Sequence, residues 1–342
     1  MWWVLHVDLD QFIAAVEVLR HPELAGKPVI VGGDGDPKKR SVVATASYEA
    51  REFGVQSGMP MRTAAARCPD AVFLPSDPPA YDAVSERVMA VLREFPVVVE
   101  VLGWDEAFVG AETDDPAKLA ADLQDAVWQR TALSCAVGIG DNKLRAKTAT
   151  GFAKPAGIYL LTRDNWVAVM ADRPTRALWG IGPKTAHKLD DLGLRTVREL
   201  ALADPAGLAR RFGPKMGPWY RDLARGASGT EVSATPWLAK SRSREVTFQT
   251  NVAERAELDE QVVRLARRVA DDVRAEDRPA HRIGVKVRFA PFITQTRSIT
   301  LPAPTSSPTD IERAALQVLD MFDHGRPVRL LGVWASFQAA DG

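Results

Sequence analysis

The segment "HVDLDQFIAAVE", residues 6–17, restricts this chain more than any other: an apolar strand ends in two aspartates and passes directly into a helix. Residues 2–9 read as a buried strand and "QFIAAVEVLR" as the helix after it. Asp8 and Asp10 lie two apart, so they share one face if the strand runs that far. A second acidic turn follows in "VVVEVLGWDEAFVG", which reads as two strands joined at Gly103 and carries Asp105 and Glu106. If these strands are neighbours, three or four carboxylates converge. Such a cluster repels itself and is costly to desolvate, so it demands cationic compensation. Oxygen ligands without His or Cys nearby favour a hard cation, Mg²⁺ or Mn²⁺. Two such ions about 3.5–4 Å apart can activate an attacking hydroxyl and steady the leaving oxygen of a phosphoryl transfer. The ordinary alternative for any single acid is a solvated strand end or a helix cap; Asp10 is read as a cap for the helix beginning at Gln11. Asp105 and Glu106 point to opposite faces of a regular strand, so both reach one site only where the backbone bends.

The rest of the chain supplies a setting for these acids. "KPVIVGG" and "SVVATAS" are short strand candidates, and residues 48–68 read as one helix rich in Ala and Arg. The spacing of Val84, Val88, Val91 and Leu92 predicts a helix over 80–95. Asp115-Pro116 opens another, with Leu119, Leu123 and Val127 on one stripe, and "LSCAVGIG" reads as a further strand. This order suggests a split βαβ sheet with residues 18–75 inserted as a separate lobe. Short helices broken by Gly and Pro fill 166–230. "SATPWLAKSRSRE" has no apolar period and reads as a linker, and strands and helices alternate beyond it. A length of 342 residues is enough for several cores.

The formal net charge is zero, so a nucleic-acid role must come from local asymmetry. In "HRIGVKVRF" the cations Arg282, Lys286 and Arg288 fall on one face, opposite Ile283, Val285, Val287 and Phe289. From Arg278 to Leu301 there are five Lys or Arg and no acid. Such a strand suits a phosphate backbone; a solvated edge guarded by charge is the alternative. Cys68 and Cys135 are far apart with no CxxC pairing, which argues against a disulfide framework or zinc knuckle and fits a reducing cytosol. The apolar opening "MWWVLHV" meets Asp8 long before it could span a bilayer, and no membrane segment is expected.

Phosphate-binding candidates appear elsewhere. "TASYEAREFG" puts Tyr48 and Arg51 three apart on one helical face, and "GFAKPAGIY" puts Lys154 beside Pro155. A surface ion pair and a helix C-terminal charge are the plain alternatives. "GIGPKTAHKL" resembles a helix-hairpin-helix, in which Gly180 and Gly182 allow the backbone to approach a phosphate, or merely a tight turn. A Walker A loop is excluded, because Pro183 separates Gly182 from Lys184. "RRFGPKMGPWY" is a candidate for a second duplex-gripping turn.

Taken in order, "HVDLDQFIAAVE", "VVATASYEAREFGV", "GMPMRTA", "WDEAF", "VGIGDNKLRAKTAT", "KPAGIY", "LWGIGPKTAHKLDDLG" and "RPVRLLGV" resemble the Y-family DNA polymerases, the lesion-bypass enzymes, and within them the bacterial polymerase IV (DinB) branch. The resemblance implies an α+β multidomain right hand: a ferredoxin-like palm (1–17 and 76–165), small fingers (18–75), a helical thumb with a helix-hairpin-helix (166–232), a linker (233–243) and an α+β little finger (244–342). By motif it makes Asp8, Asp105 and Glu106 the catalytic metal carboxylates, with the Leu9 carbonyl a further ligand to two Mg²⁺ or Mn²⁺ ions. Thr45, Tyr48, Arg51 and Lys154 would hold the incoming triphosphate, with Phe12 and Ile13 beside the nucleotide. Gly180, Gly182, Lys184, Lys240, Arg242, Arg244, Arg282, Lys286, Arg288 and Arg297 become candidate DNA contacts. The implied partners are primer-template DNA and dNTP, bound by a cytoplasmic monomer that copies damaged templates at low fidelity. A noncatalytic DNA-binding member and a two-metal nuclease are the competing readings.

Three departures qualify this. The position of Ile13 is usually Phe or Tyr, a plate beneath the sugar that excludes a 2′-hydroxyl, and an aliphatic side chain of different reach predicts weak rejection of ribonucleotides. The alternative makes Ile13 a core residue and gives the gate to Phe12 or the backbone. Gly103 and Trp104 replace the usual serine and small aliphatic residue before the acidic pair. The tail "WASFQAADG" lacks the glutamine-plus-hydrophobic peptide by which many relatives dock on the sliding clamp, which leaves clamp binding open.

Overall fold

Trp2–Leu9 (β1) is the middle strand of a five-stranded sheet, buried from Val4 to Val7 apart from its ends, as its run of apolar residues predicts. A computed structural model describes residues 1–323 and 325–338 of the chain. They divide into two units, one of Met1–Gly35, Val43–Ser57 and Arg67–Pro236, the other of Asp36–Val42, Gly58–Ala66 and Trp237 onward.

In the first unit β1 is followed by α1 (Phe12–Arg20), a small sheet of β2 (Val29–Val31), β3 (Thr45–Ala46) and β4 (Val72–Leu74), and α2 (Tyr48–Glu52). The helix expected over 48–68 is two, α2 and α3 (Met61–Arg67), the latter lying almost wholly in the second unit's segment Gly58–Ala66. Gly54 takes a φ of 73° that ends the first, and Pro60 stands just before the second. Then come α4 (Pro78–Arg93), β5 (Val98–Val101), β6 (Glu106–Glu112), α5 (Pro116–Thr131), β7 (Cys135–Gly140), α6 (Lys143–Ala153) and β8 (Ile158–Leu161). The sheet order β5-β6-β1-β7-β8, antiparallel except between β7 and β8, is the split βαβ arrangement.

Alternation along β1 separates two faces. Leu5, Val7 and Leu9 join Phe12, Tyr81, Leu92 and Leu123 in a core beneath α4 and α5. Val4, His6 and Asp8 face the other way, toward α6, where Val4 packs with Phe108 and Ala146. The helix lies almost on the backbone of β7, because a Cβ on Gly138 would sit 2.0 Å from the Ala146 carbonyl oxygen and one on Gly140 2.5 Å from the Ala146 nitrogen. Two glycines in "VGIG" thus set how far α6 descends toward the acids. Beyond β8, five short helices, α7 (Arg163–Met170), α8 (Pro183–Asp190), α9 (Val197–Leu202), α10 (Pro205–Phe212) and α11 (Met216–Ala224), share a core around Trp166, Leu189, Leu200, Leu208 and Leu223, to which α6 and β8 contribute Leu144, Ala149 and Leu161.

The second unit is an antiparallel sheet in the order β11 (Ile293–Thr305), β10 (Ala280–Phe289), β12 (Val328–Phe337), β9 (Ser241–Val252). One face is covered by α12 (Arg255–Ala275) and α13 (Pro308–Leu319), with Ile283, Val285, Val287 and Phe289 against Val262, Leu265 and Val269. β9 begins at Ser241, inside the stretch read as linker; Ser241, Arg242 and Ser243 are all exposed, so the strand starts without an apolar alternation. Among the described residues no helix is long and apolar enough to cross a membrane.

The glycine contact yields a paired test. Gly138→Ala must push α6 off the sheet and should cost about 3 kcal/mol in denaturant unfolding. Gly151→Ala on the same helix meets nothing within 4 Å, and should instead stabilise by roughly 0.5–1 kcal/mol.

Candidate active site

Three carboxylates meet at one end of the sheet. Asp8 on β1 stands directly across the ladder from Glu106 on β6, so both side chains project from the same face. Asp105 lies in the bend before β6, where Leu9 N–H donates to its carbonyl at 2.8 Å and Leu102 N–H and Gly103 N–H both turn onto the Glu106 carbonyl. The chain thus bends between the adjacent acids, and Asp105 stays outside the group of His6, Asp8 and Glu106 whose ligand atoms lie within 4.8 Å of one another. Trp104 anchors the bend: the indole N–H donates to Asp82 Oδ1 at 2.6 Å and the ring meets Tyr81 edge-on at 5.8 Å. Tyr81 in turn donates its hydroxyl to buried Glu17 at 2.6 Å. Trp104 thus has its partners on α4, and Tyr81 links them onward to α1.

Cations descend on the acids from α6. Lys143, Lys147, Thr150 and Lys154 recur at i, i+4, i+7 and i+11, a stripe facing β1 and β6. Lys143 pairs with Glu100 at 2.6 Å, Lys147 with Glu106, and Lys154 with Asp8, its ammonium also 3.4 Å from the Leu9 carbonyl oxygen. His6, fully buried, lies with Nε2 3.2 Å from Glu106 Oε2 and Nδ1 2.9 Å from the Thr150 hydroxyl. Burial holds the imidazole below its ordinary pKa, hence neutral. Hydrogen bonding from His6 first, and from Lys147 with it, draws Glu106 down to about 2. Asp105 moves the other way, raised by burial and then by repulsion from Asp8. Sequence reasoning missed His6 and Lys147; the α6 stripe was the signal for the lysine.

The site fits a hard divalent cation. Candidate ligand atoms of His6, Asp8 and Glu106 lie within 4.8 Å of one another, the Leu9 carbonyl oxygen is beside them, and Asp105 carries negative charge that its surroundings leave under-compensated. Apart from His6, which is engaged by Thr150 and Glu106, the donors are oxygens. A cavity of about 350 Å³ opens here, lined by Asp8, Lys147, Lys154 and Trp179 among others.

Asp10 is not a helix cap. Gln11 occupies the cap position of α1 without a side-chain cap bond, and Asp10, 3% exposed, turns inward. Its carboxylate accepts from the Tyr48 hydroxyl at 2.9 Å, the Ser134 hydroxyl at 3.0 Å and the Ala156 N–H at 2.8 Å. It therefore ties α2 and the segments flanking β7 and α6 to the end of β1. Burial, reinforced by the bond to Asp10, raises the Tyr48 pKa, so the phenol stays a donor. Arg51, exposed, rests 5.0 Å from the Tyr48 ring and donates Nε–H to the Ala46 carbonyl at 2.9 Å. Thr45 is buried at the start of β3. Phe12 is 3% exposed and belongs to the core, whereas Ile13 is half-buried at its rim.

The candidate DNA contacts fall in both units. Gly180 takes a φ of 95°, Gly182 caps α8, and Lys184 is exposed in its first turn. In the second unit, Arg242 is paired with Glu276, Arg244 with Asp272 and Lys286 with Glu245. Arg282 and Arg288 donate to Ser298 and Thr294 hydroxyls, and Lys240 is exposed. Arg297 pairs across the ladder with buried Val285 and lies 5.5 Å from the Phe322 ring, on the helix-covered face. The end of the tail, residues 339–342, lies outside the described residues.

Residues 7–151 match the impB/mucB/samB family model, and residues 239–338 match the model of that family's C-terminal domain. A relative described as DNA polymerase IV 2, from Mycobacterium tuberculosis, is 53% identical over 97% of this chain and 96% of its own length. DNA polymerase IV of Methanoculleus marisnigri is 42% identical over 96% of this chain and 92% of its own. Among solved structures, a Y-family DNA polymerase chimera superposes with a TM-score of 0.85 and an insertion ternary complex of Dbh DNA polymerase with 0.69, each 24% identical and covering 98% of both chains.

Two measurements probe this geometry. Asp10→Ala strands three donors and should cost about 3 kcal/mol or more in unfolding free energy. Glu106 is held below its unfolded pKa, so in metal-free protein it stabilises the fold above pH about 4.5, and that contribution disappears as pH falls toward about 2. Lys147→Met should shrink this acid-dependent loss in urea titrations across that window.

Proposed function

Because the chain belongs to the Y-family DNA polymerases, in the polymerase IV branch of the impB/mucB/samB family, we propose that this translesion polymerase extends primers by two-metal nucleotidyl transfer at Asp8, Asp105 and Glu106, behind a loose sugar gate at Ile13. The observation that carries this reading is the register of Asp8 against Glu106, with Asp105 in the bend beside them and Lys154, Tyr48 and Arg51 among the surrounding residues.

Asp8, Asp105, Glu106 and the Leu9 carbonyl would hold the Mg²⁺ or Mn²⁺ pair, which when bound supplies Lewis acidity and charge neutralisation at the reacting phosphate. Until then Lys154 and Lys147 compensate Asp8 and Glu106. Once released from Asp8, Lys154 would give its charge to the incoming triphosphate, alongside the Arg51 guanidinium and the Tyr48 and Thr45 hydroxyls. Positioning is most of what such a transfer asks of a protein, and Asp10 provides it by fixing Tyr48 and the turn after α6 to the metal-bearing strand. Primer-template DNA is the proposed partner, with ribonucleotides admitted beside deoxyribonucleotides because Ile13 leaves unfilled the space an aromatic plate would occupy.

Primer extension with Mg²⁺ or Mn²⁺ should be robust, and Asp105→Ala should reduce it by more than about 100-fold, beyond the effect of losing a metal's outer partner. Strand cleavage instead of extension would mark a nuclease, and binding alone a noncatalytic member. Ile13→Phe should raise discrimination against rNTP in single-nucleotide insertion by about 10- to 200-fold. Equal, strong rejection of rNTP by native and substituted enzyme would refute the loose gate.

A further inference from the structure

The three acids of the site are not held alike. Asp8 is paired with Lys154, and Glu106 with Lys147 and His6. Among the described residues no side chain pairs or hydrogen-bonds with the Asp105 carboxylate, whose only hydrogen bond is to its own backbone, and it stands outside the group formed by His6, Asp8 and Glu106. Where Asp105 points is therefore decided by the chain that carries it.

That chain is the turn 102–105 between β5 and β6. The ladder fixes its inner side, through Leu9 N–H on the Asp105 carbonyl and the Leu102 and Gly103 N–H groups on the Glu106 carbonyl. Its outer side has little packing. Leu102, Gly103 and Trp104 are all exposed, and a Cβ placed on Gly103 would meet nothing nearer than the Asp105 carboxylate itself, at 3.8 Å. Glycine at such a tip gives the backbone its widest choice of conformations. A free tip would spread the Asp105 carboxylate over many positions.

Trp104 closes that freedom from the residue directly before Asp105. Its indole N–H donates to Asp82 Oδ1 at 2.6 Å, a bond to an ionised acceptor and so of the stronger kind, and its ring stands edge-on to Tyr81 at 5.8 Å. The footing is firm. Tyr81 is 1% exposed, lies on α4 beside Asp82, and donates its hydroxyl to buried Glu17 on α1. Trp104 itself is 37% exposed and takes no part in the core beneath α4 and α5, so its burial stabilises little. What its two contacts do is fix the turn.

We infer that Trp104 is a positioning residue for the metal centre: held by Asp82 and Tyr81, it keeps the turn where the Asp105 carboxylate joins Asp8 and Glu106 around a divalent cation. The turn is then ordered on folding and need not be ordered by the cation, the general advantage of a preorganised ligand. This rests on the two-metal reading and adds to it a residue that acts through Asp105.

Mn²⁺ binding to the full-length protein, read from the EPR signal of free Mn²⁺, tests this with the chemistry left out. Trp104→Phe keeps a ring against Tyr81 and loses the N–H donor; it should weaken Mn²⁺ binding by about tenfold, the lower end for an outer partner of a metal ligand. Asp82→Ala should weaken it equally, and Asp82→Asn, which keeps an acceptor at Oδ1, should retain most of the affinity. Trp104→Phe combined with Asp82→Ala should bind no more weakly than either alone, because the two remove one bond. In an Asp105→Ala background Trp104→Phe should change nothing further. In primer extension by Trp104→Phe, the Mg²⁺ concentration for half-maximal rate should rise by the same factor, with the rate recovered at saturating Mg²⁺. The inference is overturned if Trp104→Phe lowers metal-free stability in urea while Mn²⁺ affinity stays native, or if its effect on affinity persists undiminished without Asp105. Mn²⁺ binding that Asp105→Ala itself leaves unchanged would refute the metal reading of Asp105 and this inference with it, whereas binding weakened in Asp105→Ala and native in Trp104→Phe would refute this inference alone.

Discussion

Mutual repulsion among Asp8, Asp105 and Glu106 is the constraint around which the first unit is arranged. Acids on adjacent strands of a buried sheet are tolerable only when cations stand within hydrogen-bond reach. Here that reach is set by backbone geometry. Gly138 and Gly140 let α6 settle onto β7, and the lysines at i+4 and i+11 of its polar stripe arrive at Glu106 and Asp8. A helix held further out by ordinary side chains would leave the carboxylates facing a gap. The glycines are therefore part of the electrostatics as much as of the packing.

The compensation is incomplete, and that is its chemical use. Two lysines answer three carboxylates, leaving Asp105 with a raised pKa between burial and the charge of Asp8. A site fully neutralised by its own side chains would have no call for divalent ions, and one with no lysines would be far harder to fold without them. Neutral His6 beneath Glu106 contributes a hydrogen bond without adding a third cation, and burial keeps it so. Under the proposed reading, the negative potential left at Asp105 is what a bound divalent cation would offset.

The split βαβ order, the two faces of β1 and the acidic convergence were legible because each rests on local periodicity or on a short motif. The bend at Asp105 was foreseen as a requirement, and its anchor, Trp104 on Asp82, was not, since the partner lies on a different element. Asp10 shows the limit most clearly. Read beside Gln11 it is a plausible cap, but its partners Ser134 and Ala156 are 124 and 146 residues away, and nothing in a neighbouring spacing announces them. The single helix expected over 48–68 failed for a local reason that Gly54 and Pro60 had advertised. Ion pairing on the C-terminal sheet was equally hidden: alternation placed the cations on strands, and Asp272 on α12, Glu276 at its end and Glu245 on β9 decide which of those charges are paired.

The side chains at 12 and 13 show how packing narrows a functional choice. Phe12 and Val16 stand four apart on α1 and enter the core with Leu9 and Val31, where Phe12 retains 3% exposure. To serve as a plate beneath a sugar the ring would have to leave that core, at a cost of about 2–3 kcal/mol of apolar burial and with a void left behind. Ile13, one position on, points about 100° around the helix and is only partly buried. Any side-chain gate at this pair thus falls to Ile13, whose two branches stop short of the area a ring would cover. Under the proposed reading, selectivity at the sugar is then a matter of how an aliphatic rim residue fills space, and the aromatic neighbour contributes by holding the helix that carries it.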